Sequence, residues 1–400
     1  MRKALIDWPL TPYTGWGNYG IQLAQALMEQ GCYQPVLVAP NDRTDHCDLH
    51  WLAALEYLES GSKSICRSLE EATEKGALPL PTSAAVAFSP LGNVVPPPRC
   101  QAQRHVGVTF FECSDFSKQQ LETLQTFDLV VTGSRWNQSL LQHLGVSQSQ
   151  LVHQGVDTGL FNPAPVPKLI KRSLVIFSGG KLETRKGQDI VIAAFRRLLQ
   201  LHPDALLIAA WGNVGNVAVD TIGGSPYVQG APKEGRAQGI SAWLDANGVV
   251  DKNVWVLPCL VNRQLPNLIK QADVAVFASR CEGGTNLMAM ETLACGVPTL
   301  VSANTGHLDL LDIGMGHCLP VGVAGVGCVN PDLIARYGRD KRGFWGETDP
   351  DELLQWWLKI ISEKASWRRQ GQQQATAMQG MSWKMSMKRL MNLLKELESP

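Results

Sequence analysis

The chain has no net charge: 36 lysines and arginines balance 36 aspartates and glutamates. A global attraction to nucleic acid is thereby excluded. No apolar run approaches the ~20 residues of a membrane span, and residues 1–9 (MRKALIDWP) lack the apolar segment of a secretory leader. Ten cysteines are scattered without a CxxC or other ligand spacing, so they indicate neither a disulfide framework nor a zinc site and read as reduced core thiols. No internal sequence repeat is visible. These absences predict a soluble, cytoplasmic protein. The two halves differ, however: residues 1–165 carry ten basic against fifteen acidic side chains, which leaves 26 against 21 in the remainder. A positive second half suits a small anionic ligand, and an acidic first half disfavours a polybasic grip on anionic lipid.

What is present is an alternation of short apolar runs and amphipathic stretches. Four hundred residues with 44% hydrophobic content can bury more than one core. Residues 3–7 read as a strand, 19–30 as a helix closed by Gly31, and 35–39 as the next strand. The loop between them holds GWGNYG, which matches GxGxxG at Gly15, Gly17 and Gly20. In a dinucleotide site the first glycine follows the strand directly, whereas here WPLTPYT intervenes, so an NAD site is not expected. Residues 52–58 and 68–75 look like two helices, and 84–88 and 104–110 like strands, the second ending at Phe111 and Glu112. Strands at 129–132 and 151–153 flank a helix at 134–144.

Prolines crowded into residues 163–167, after glycines, read as an interdomain linker, with movement of the two halves expected near residues 155–171. The pattern then restarts: strand 174–177, helix 188–201, strand 206–210. Residues 212–239, rich in Gly, Pro and Asn, read as a long loop. A helix at 241–247, a strand at 254–257 and a helix at 265–270 follow. Further on come a strand at 318–321, a helix at 351–364 and a basic helix at 383–397. The expected fold class is α/β, with two doubly wound parallel sheets. The expected domains are residues 1–165, residues 166–380, and a terminal helix at 381–400 that packs back on the first.

Residues 272–302, ADVAVFASRCEGGTNLMAMETLACGVPTLVS, are the most informative stretch. A buried strand at 274–278 leads through a polar turn into a helix at 286–295, a Gly-Val-Pro stop and a strand at 299–301. The turn carries Arg280, Glu282, Gly283, Gly284, Thr285 and Asn286 at a strand's carboxyl end, where open α/β sheets bind ligands. Two glycines let a ligand approach the backbone, and a helix N-terminus favours a phosphate. Glu291 lies beside the apolar stripe of Leu287, Met290, Ala294 and Val297, as a half-buried carboxylate in need of donors such as ligand hydroxyls. The same residues would also serve a turn that merely reverses the chain. The loop SGGKLETRKG at 178–187 leaves one strand and enters a helix with Gly179, Gly180, Lys181, Arg185 and Lys186. Glycines and cations there can clamp a diphosphate, although a solvated basic loop reads the same in isolation. Both motifs fall in one expected domain, at the same end of its sheet, which favours the phosphate reading.

Together these segments resemble the retaining glycosyltransferases of family 4, the glycosyl transferases group 1, whose GT-B fold places two Rossmann-like domains around a cleft. SGGKLETRKGQDIVIAAF is similar to that family's G-R-L-x-x-x-K-G donor loop, and EGGTNLMAMETLACGVP to its E-x7-E segment. VTGSRWNQSLLQHLGV and VHQGVDTGLFNP resemble its interdomain passage, so the likeness covers roughly residues 127–320, with a weaker match over 15–27. The resemblance implies a hexosyl transfer from a nucleotide-diphosphate sugar, a co-substrate beside which no cofactor is expected. Glu282 would hold sugar hydroxyls and Glu291 the ribose. Gly283, Gly284, Thr285 and Asn286 would hold the diphosphate by their backbone, Gly180, Lys181, Arg185 and Lys186 would line and neutralise it, and Gly15 and Gly17 would close on it from the first domain. With no suitably placed DxD motif, these groups would stand in for a divalent metal, so no metal site is expected.

The chain departs from the family pattern at three points. Its carboxylates stand at 282 and 291, an E-x8-E spacing. Lys181 replaces the usual arginine, keeping charge and losing bidentate geometry. Phe111 and Glu112 stand where a histidine is common, and Glu112 would orient or deprotonate the acceptor or serve as a structural carboxylate. His307 is given no role beyond stabilising its loop. The acceptor is open between a sugar, a glycan, a lipid and a small molecule. Other users of the fold, a nucleotide-sugar epimerase or a phosphorylase, remain alternatives, though no lysine stands out as a pyridoxal phosphate anchor. A non-catalytic binding or scaffold protein is the alternative from another class.

Overall fold

Short runs of small and branched apolar residues build two separate parallel sheets. The structure, a computed structural model, describes residues 1–40, 49–213, 219–313, 318–322 and 345–398. The chain divides into two units. One holds Met1–Glu112, Phe116–Gly155 and Trp383–Pro400, and the other Cys113–Asp115 and Val156–Ser382.

In the first unit β1 (Arg2–Ile6), β2 (Tyr33–Leu37), β3 (Leu80–Leu91), β4 (Cys100–Thr109), β5 (Leu129–Thr132) and β6 (Ser149–Leu151) pair in the order β2-β1-β3-β4-β5-β6. Every pairing is parallel, with Leu5 opposite Ala87, Phe88 opposite Val106 and Val108 opposite Val131. The first helix, Gly15–Glu29, begins where a glycine loop was expected. Thr14 caps it by accepting from the Gly17 N–H, so Gly17 and Gly20 lie inside the helix. Their role there is close packing: a Cβ at Gly17 would stand 2.1 Å from the Thr11 carbonyl oxygen, and one at Gly20 2.4 Å from Leu10 Cδ2. Two helices expected at 52–58 and 68–75 are one, Leu49–Glu74. Leu55, Leu58, Leu69 and Ala72 keep a buried stripe along it, while Ser62 interrupts the apolar pattern and is satisfied by the Leu58 carbonyl and the Leu37 N–H. The helix Trp383–Glu398 packs on Gly15–Glu29, with Trp383 edge-on to Tyr19 at 5.9 Å and Glu398 paired with Arg2 at 2.8 Å.

In the second unit β7 (Val175–Gly179), β8 (Leu206–Ala210), β9 (Val254–Val256), β10 (Val274–Phe277), β11 (Thr299–Ser302) and β12 (Leu319–Val321) pair in the order β12-β11-β10-β7-β8-β9, all parallel. The helix Gln188–Leu201 buries Ile190, Val191, Phe195 and Leu198 over this sheet. Of the expected loop at 212–239, residues 214–218 lie outside the described residues. The rest is not all loop, since Val219–Gly224 is a 3₁₀ turn and a helix runs from Ala237 to Ala246. The helix expected at 351–364 is Pro350–Ser362, and a second helix, Lys364–Met378, follows that was not foreseen. Its apolar signal is thin because it packs through Gly371, where a Cβ would stand 2.2 Å from the Gly296 carbonyl oxygen.

Both units are α/β with doubly wound parallel sheets. Every described cysteine is a free thiol, yet Cys32 is exposed and Cys66 and Cys259 are half-buried, so the core-thiol reading holds only for the others. Among the described residues no helix is long and apolar enough to cross a membrane.

The contact at Gly17 is with backbone, which cannot swing aside. Gly17→Ala is expected to destabilise the protein by about 1–3 kcal/mol through overpacking, which outweighs the ~1 kcal/mol that alanine gains in a helix. The urea midpoint measures it, and an unchanged or raised midpoint contradicts the packing role.

Candidate functional site

In the second unit β7 and β10 lie side by side, with Val274 opposite Ile176, and the strand order reverses between them. Outside the carboxyl ends of such a pair an open sheet leaves a crevice. Residues 180–187 leave β7 there and residues 278–286 leave β10, so the two loops singled out in the sequence meet. Glycines make the meeting possible. Gly187 has φ +70, and a Cβ on it would stand 2.0 Å from the Ala278 carbonyl oxygen; one on Gly179 would stand 2.4 Å from Met288 Cε. The Arg280 N–H donates to the Arg185 carbonyl at 2.7 Å.

Glu282 is the centre of the arrangement. Lys186 Nζ lies 2.8 Å from each of its oxygens, and Arg185 donates to Oε2 at 3.2 Å. Ser279 Oγ (2.6 Å) and Asn286 Nδ2 (3.0 Å) donate to Oε1. Burial alone would raise the pKa of this carboxyl, but Lys186 and Arg185 win and hold it at about 2. His307 stands 4.0 Å away, and burial lowers its pKa to about 4, so it is neutral at pH 7. The Ser302 hydroxyl donates to the Ser279 carbonyl and therefore accepts from His307 Nδ1 (2.9 Å). That network assigns the imidazole proton to Nδ1 and leaves Nε2 to accept from Asn286 Nδ2 at 3.2 Å.

The helix Leu287–Ala294 starts immediately after this cluster. Asn286, expected as its first residue, is instead its cap: at φ 61 its side chain accepts from the Ala289 N–H. The Leu287 and Met288 N–H groups come too early for intrahelical partners, so the helix turns N–H donors and the positive end of its dipole toward the crevice. The turn is held from behind, where the Glu282 N–H donates to Thr305 Oγ1 (2.9 Å) and the Gly306 N–H to the Glu282 carbonyl (2.9 Å). Gly283 and Gly284 are buried in it, and the Thr285 hydroxyl points inward at Met290 Sδ, so Thr285 can offer a ligand its backbone only. Gly180 (φ +112) and the exposed Lys181 form the outer part of the β7 loop.

Glu291 lies on the same helix but apart from Glu282. It is 4% exposed rather than half-buried, and its Oε1 accepts from Asn262 Nδ2 at 2.7 Å. Burial raises its pKa to about 8, Asp157 adds to the effect, and the Asn262 bond only partly offsets it. The expected carboxylate is therefore a neutral acid at pH 7. Gly15, Gly17 and Glu112 belong to the other unit. Gly15 is exposed at the start of its helix and Gly17 is packed inside it. Glu112 follows β4 and exchanges two hydrogen bonds with Asn93, at 2.7 and 2.8 Å. Sequence reasoning missed Asn262 and Ser279, whose polar loops carry no distinguishing pattern, and gave His307 no part in the Glu282 cluster.

Residues 164–317 match the family described as Glycosyl transferases group 1. Over 166 residues the chain is 29% identical to the D-inositol 3-phosphate glycosyltransferase of Segniliparus rotundus, an alignment covering 40% of this chain and 32% of that protein. Over 194 residues it is 25% identical to the GDP-mannose-dependent alpha-(1-6)-phosphatidylinositol monomannoside mannosyltransferase of Mycolicibacterium smegmatis, covering 45% of each. The chain thus spans less than half the length of these relatives. Among solved structures, sucrose-phosphate synthase from Thermosynechococcus elongatus superposes with a TM-score of 0.65 at 15% identity, over 99% of both chains. Anabaena HepE in complex with UDP does so with a TM-score of 0.62 at 15% identity, over 99% of this chain and 100% of that one. These likenesses show the GT-B fold, with two Rossmann-like domains.

The state of Glu291 has a measurable effect on stability. Its folded pKa of about 8 lies above its ordinary 4.5, so the stability it contributes is full below that lower value and is lost as pH rises through about 8. Glu291→Gln cannot ionise. It is expected to exceed the parent in stability by about 2–5 kcal/mol near pH 8.5 and to lose that advantage toward about pH 5. Urea denaturation across this range checks it; a difference that does not change with pH contradicts the buried-acid assignment.

Proposed function

We propose that the chain is a retaining glycosyltransferase that moves a hexose from a nucleoside-diphosphate sugar to an acceptor hydroxyl, without a divalent metal. The observation that carries this reading is the Lys186–Glu282 clasp, set beside the free end of the helix Leu287–Ala294 at the strand-order reversal. A departing nucleoside diphosphate gains negative charge as its bond to the sugar breaks. Preset cations and N–H groups stabilise that charge most in the transition state. Lys186 and Arg185 lie where they can turn from Glu282 to the phosphates, and Lys181 adds a third cation. Glu282, an anion at any ordinary pH, then has oxygens released to accept from sugar hydroxyls while Ser279 and Asn286 keep it in place.

Glu291 and Asn262 together offer donors and acceptors to the ribose. With retention, the acceptor oxygen bonds the anomeric carbon on the face the diphosphate leaves, and the acceptor proton ends on the released diphosphate. The relatives support a nucleoside diphosphate without choosing its base: one is named for GDP-mannose and a structural neighbour holds UDP. Transfer with retention is stated for another neighbour, a trehalose-6-phosphate synthase.

Donor hydrolysis in the absence of an acceptor, with UDP-glucose and GDP-mannose as probes, tests the reading. Lys186→Ala is expected to lower kcat by roughly 10²-fold with little change in donor KM. Glu291→Gln should instead raise KM more than it lowers kcat, and EDTA should change neither protein. A Lys186→Ala kcat within a few-fold of the parent contradicts the leaving-group role, and an EDTA loss restored by magnesium contradicts metal independence.

A further inference from the structure

A second cavity, of about 290 Å³, opens at the opposite end of the second unit's sheet. Its walls are residues 163–166 of the linker, the turn Cys295–Pro298 that ends the helix Leu287–Ala294, and one side of the helix Lys364–Met378. Ala272 and Pro298, which line it, precede β10 and β11, whereas the crevice described above lies beyond the carboxyl ends of these strands. Four-residue β10 alone separates the two by roughly 13 Å, at ~3.3 Å per residue. The cavity is therefore not part of the crevice.

Four cations line this cavity: Lys168, Lys270, Arg368 and Arg369. Lys364 lies beside them, 2.9 Å from Asp273, and Arg368 reaches the same carboxylate at 3.3 Å. One carboxylate thus serves two cations and leaves the cluster positive. Lys168 sits among them: burial lowers its ammonium to about 8, Asp273 resists, and Arg368 and Lys364 add to the lowering. Its Nζ donates to the carbonyls of Gln271 (2.9 Å) and Ala272 (2.7 Å), which leaves one N–H of the three. The C-terminus of the helix Leu287–Ala294 points its partial negative charge here, about half a unit, which opposes an anion. Four lining cations outweigh it. The floor is apolar, made by Pro163, Val166, Val297 and Pro298.

We propose that this cavity is a second ligand site, one that takes a small phosphate ester: its phosphate between Lys270, Arg368 and Arg369, its carbon skeleton against the proline-lined floor. Arginines match phosphate oxygens in paired geometry, and the volume suits a ligand the size of a phosphorylated monosaccharide. The site does not depend on the proposed transferase activity. It does share a helix with the crevice, whose N-terminus would meet the diphosphate while its C-terminal turn meets this second ligand.

The test uses the full chain with glucose 6-phosphate and inorganic phosphate as probes and glucose as control, at about 50 mM salt to limit screening. Glucose 6-phosphate is expected to raise the melting temperature and to slow hydrogen exchange at residues 293–298 and 364–372. In Lys270→Gln/Arg369→Gln its apparent affinity should fall by about tenfold or more, while UDP and GDP act on both proteins alike. The single variant Arg369→Gln, altered at one exposed side chain, gives the same reading if the double variant does not fold. Protection confined to residues 180–187 and 282–288, an equal response of parent and variants, or a response to inorganic phosphate alone overturns the site. The exchange footprint is readable even if no nucleotide binds, so failure here and failure of the transferase reading are distinguishable.

Discussion

Beneath the two loops at the crevice, Arg280 and Asp189 form an ion pair that is 2% and 0% exposed. Two charges so deeply buried are tolerable only when every donor is matched. All five guanidinium N–H groups are engaged: Nε with Glu347, one terminal nitrogen with Asp189 and the Thr184 carbonyl, the other with Asp189 and Glu347. Ser225 Oγ adds a donor to Asp189 at 2.6 Å. One side chain thus ties the loop after β7, the helix that follows it, the turn after β10 and the segment at 345–349. Removing either partner of such a pair costs about 3–5 kcal/mol, because the other charge is left buried alone. The clasp between Lys186 and Glu282 has its geometry because Arg280 fixes the backbone on both sides of it.

Two glutamates on one short stretch are driven to opposite protonation states by their surroundings. Glu282 and Glu291 are both buried, yet one titrates at about 2 and the other at about 8. Desolvation acts the same way on each, so the difference is Lys186 and Arg185, which reach Glu282 and have no counterpart at Glu291 beyond the amide of Asn262. Lys186 and Arg185 are thus neutralised within the protein, and the proposed anionic ligand would compete with Glu282 for them. That competition favours ligands that carry both phosphate for the cations and hydroxyl donors for the carboxylate. A free phosphate supplies only the first.

The alternation of strands and helices was legible because the buried strands are apolar throughout, and the helix Gln188–Leu201 and strand Leu206–Ala210 lie at the boundaries their patterns imply. Legibility failed where packing is done by residues without apolar side chains. GWGNYG reads as a loop and is the start of a helix, because its glycines serve contact with Thr11 and Leu10. Lys364–Met378 has almost no apolar period, because Gly371 lets it lie against the Gly296 turn. At the crevice the loop and turn could be read from glycines and charges next to strand ends. The pairing of Lys186 with Glu282, the tautomer of His307 and the acid at Glu291 could not, since each depends on atoms brought together from distant positions.

On the proposed function, the crevice between the β7 and β10 loops binds a nucleoside diphosphate by exchanging an internal ion pair for an external one. A crystal structure with UDP or GDP bound tests it most directly. The terminal phosphate is expected within about 3 Å of the Leu287 or Met288 N–H, with Lys186 Nζ turned from Glu282 to that phosphate. A nucleotide bound elsewhere, or one bound in the crevice with Lys186 still held on both oxygens of Glu282, would contradict it.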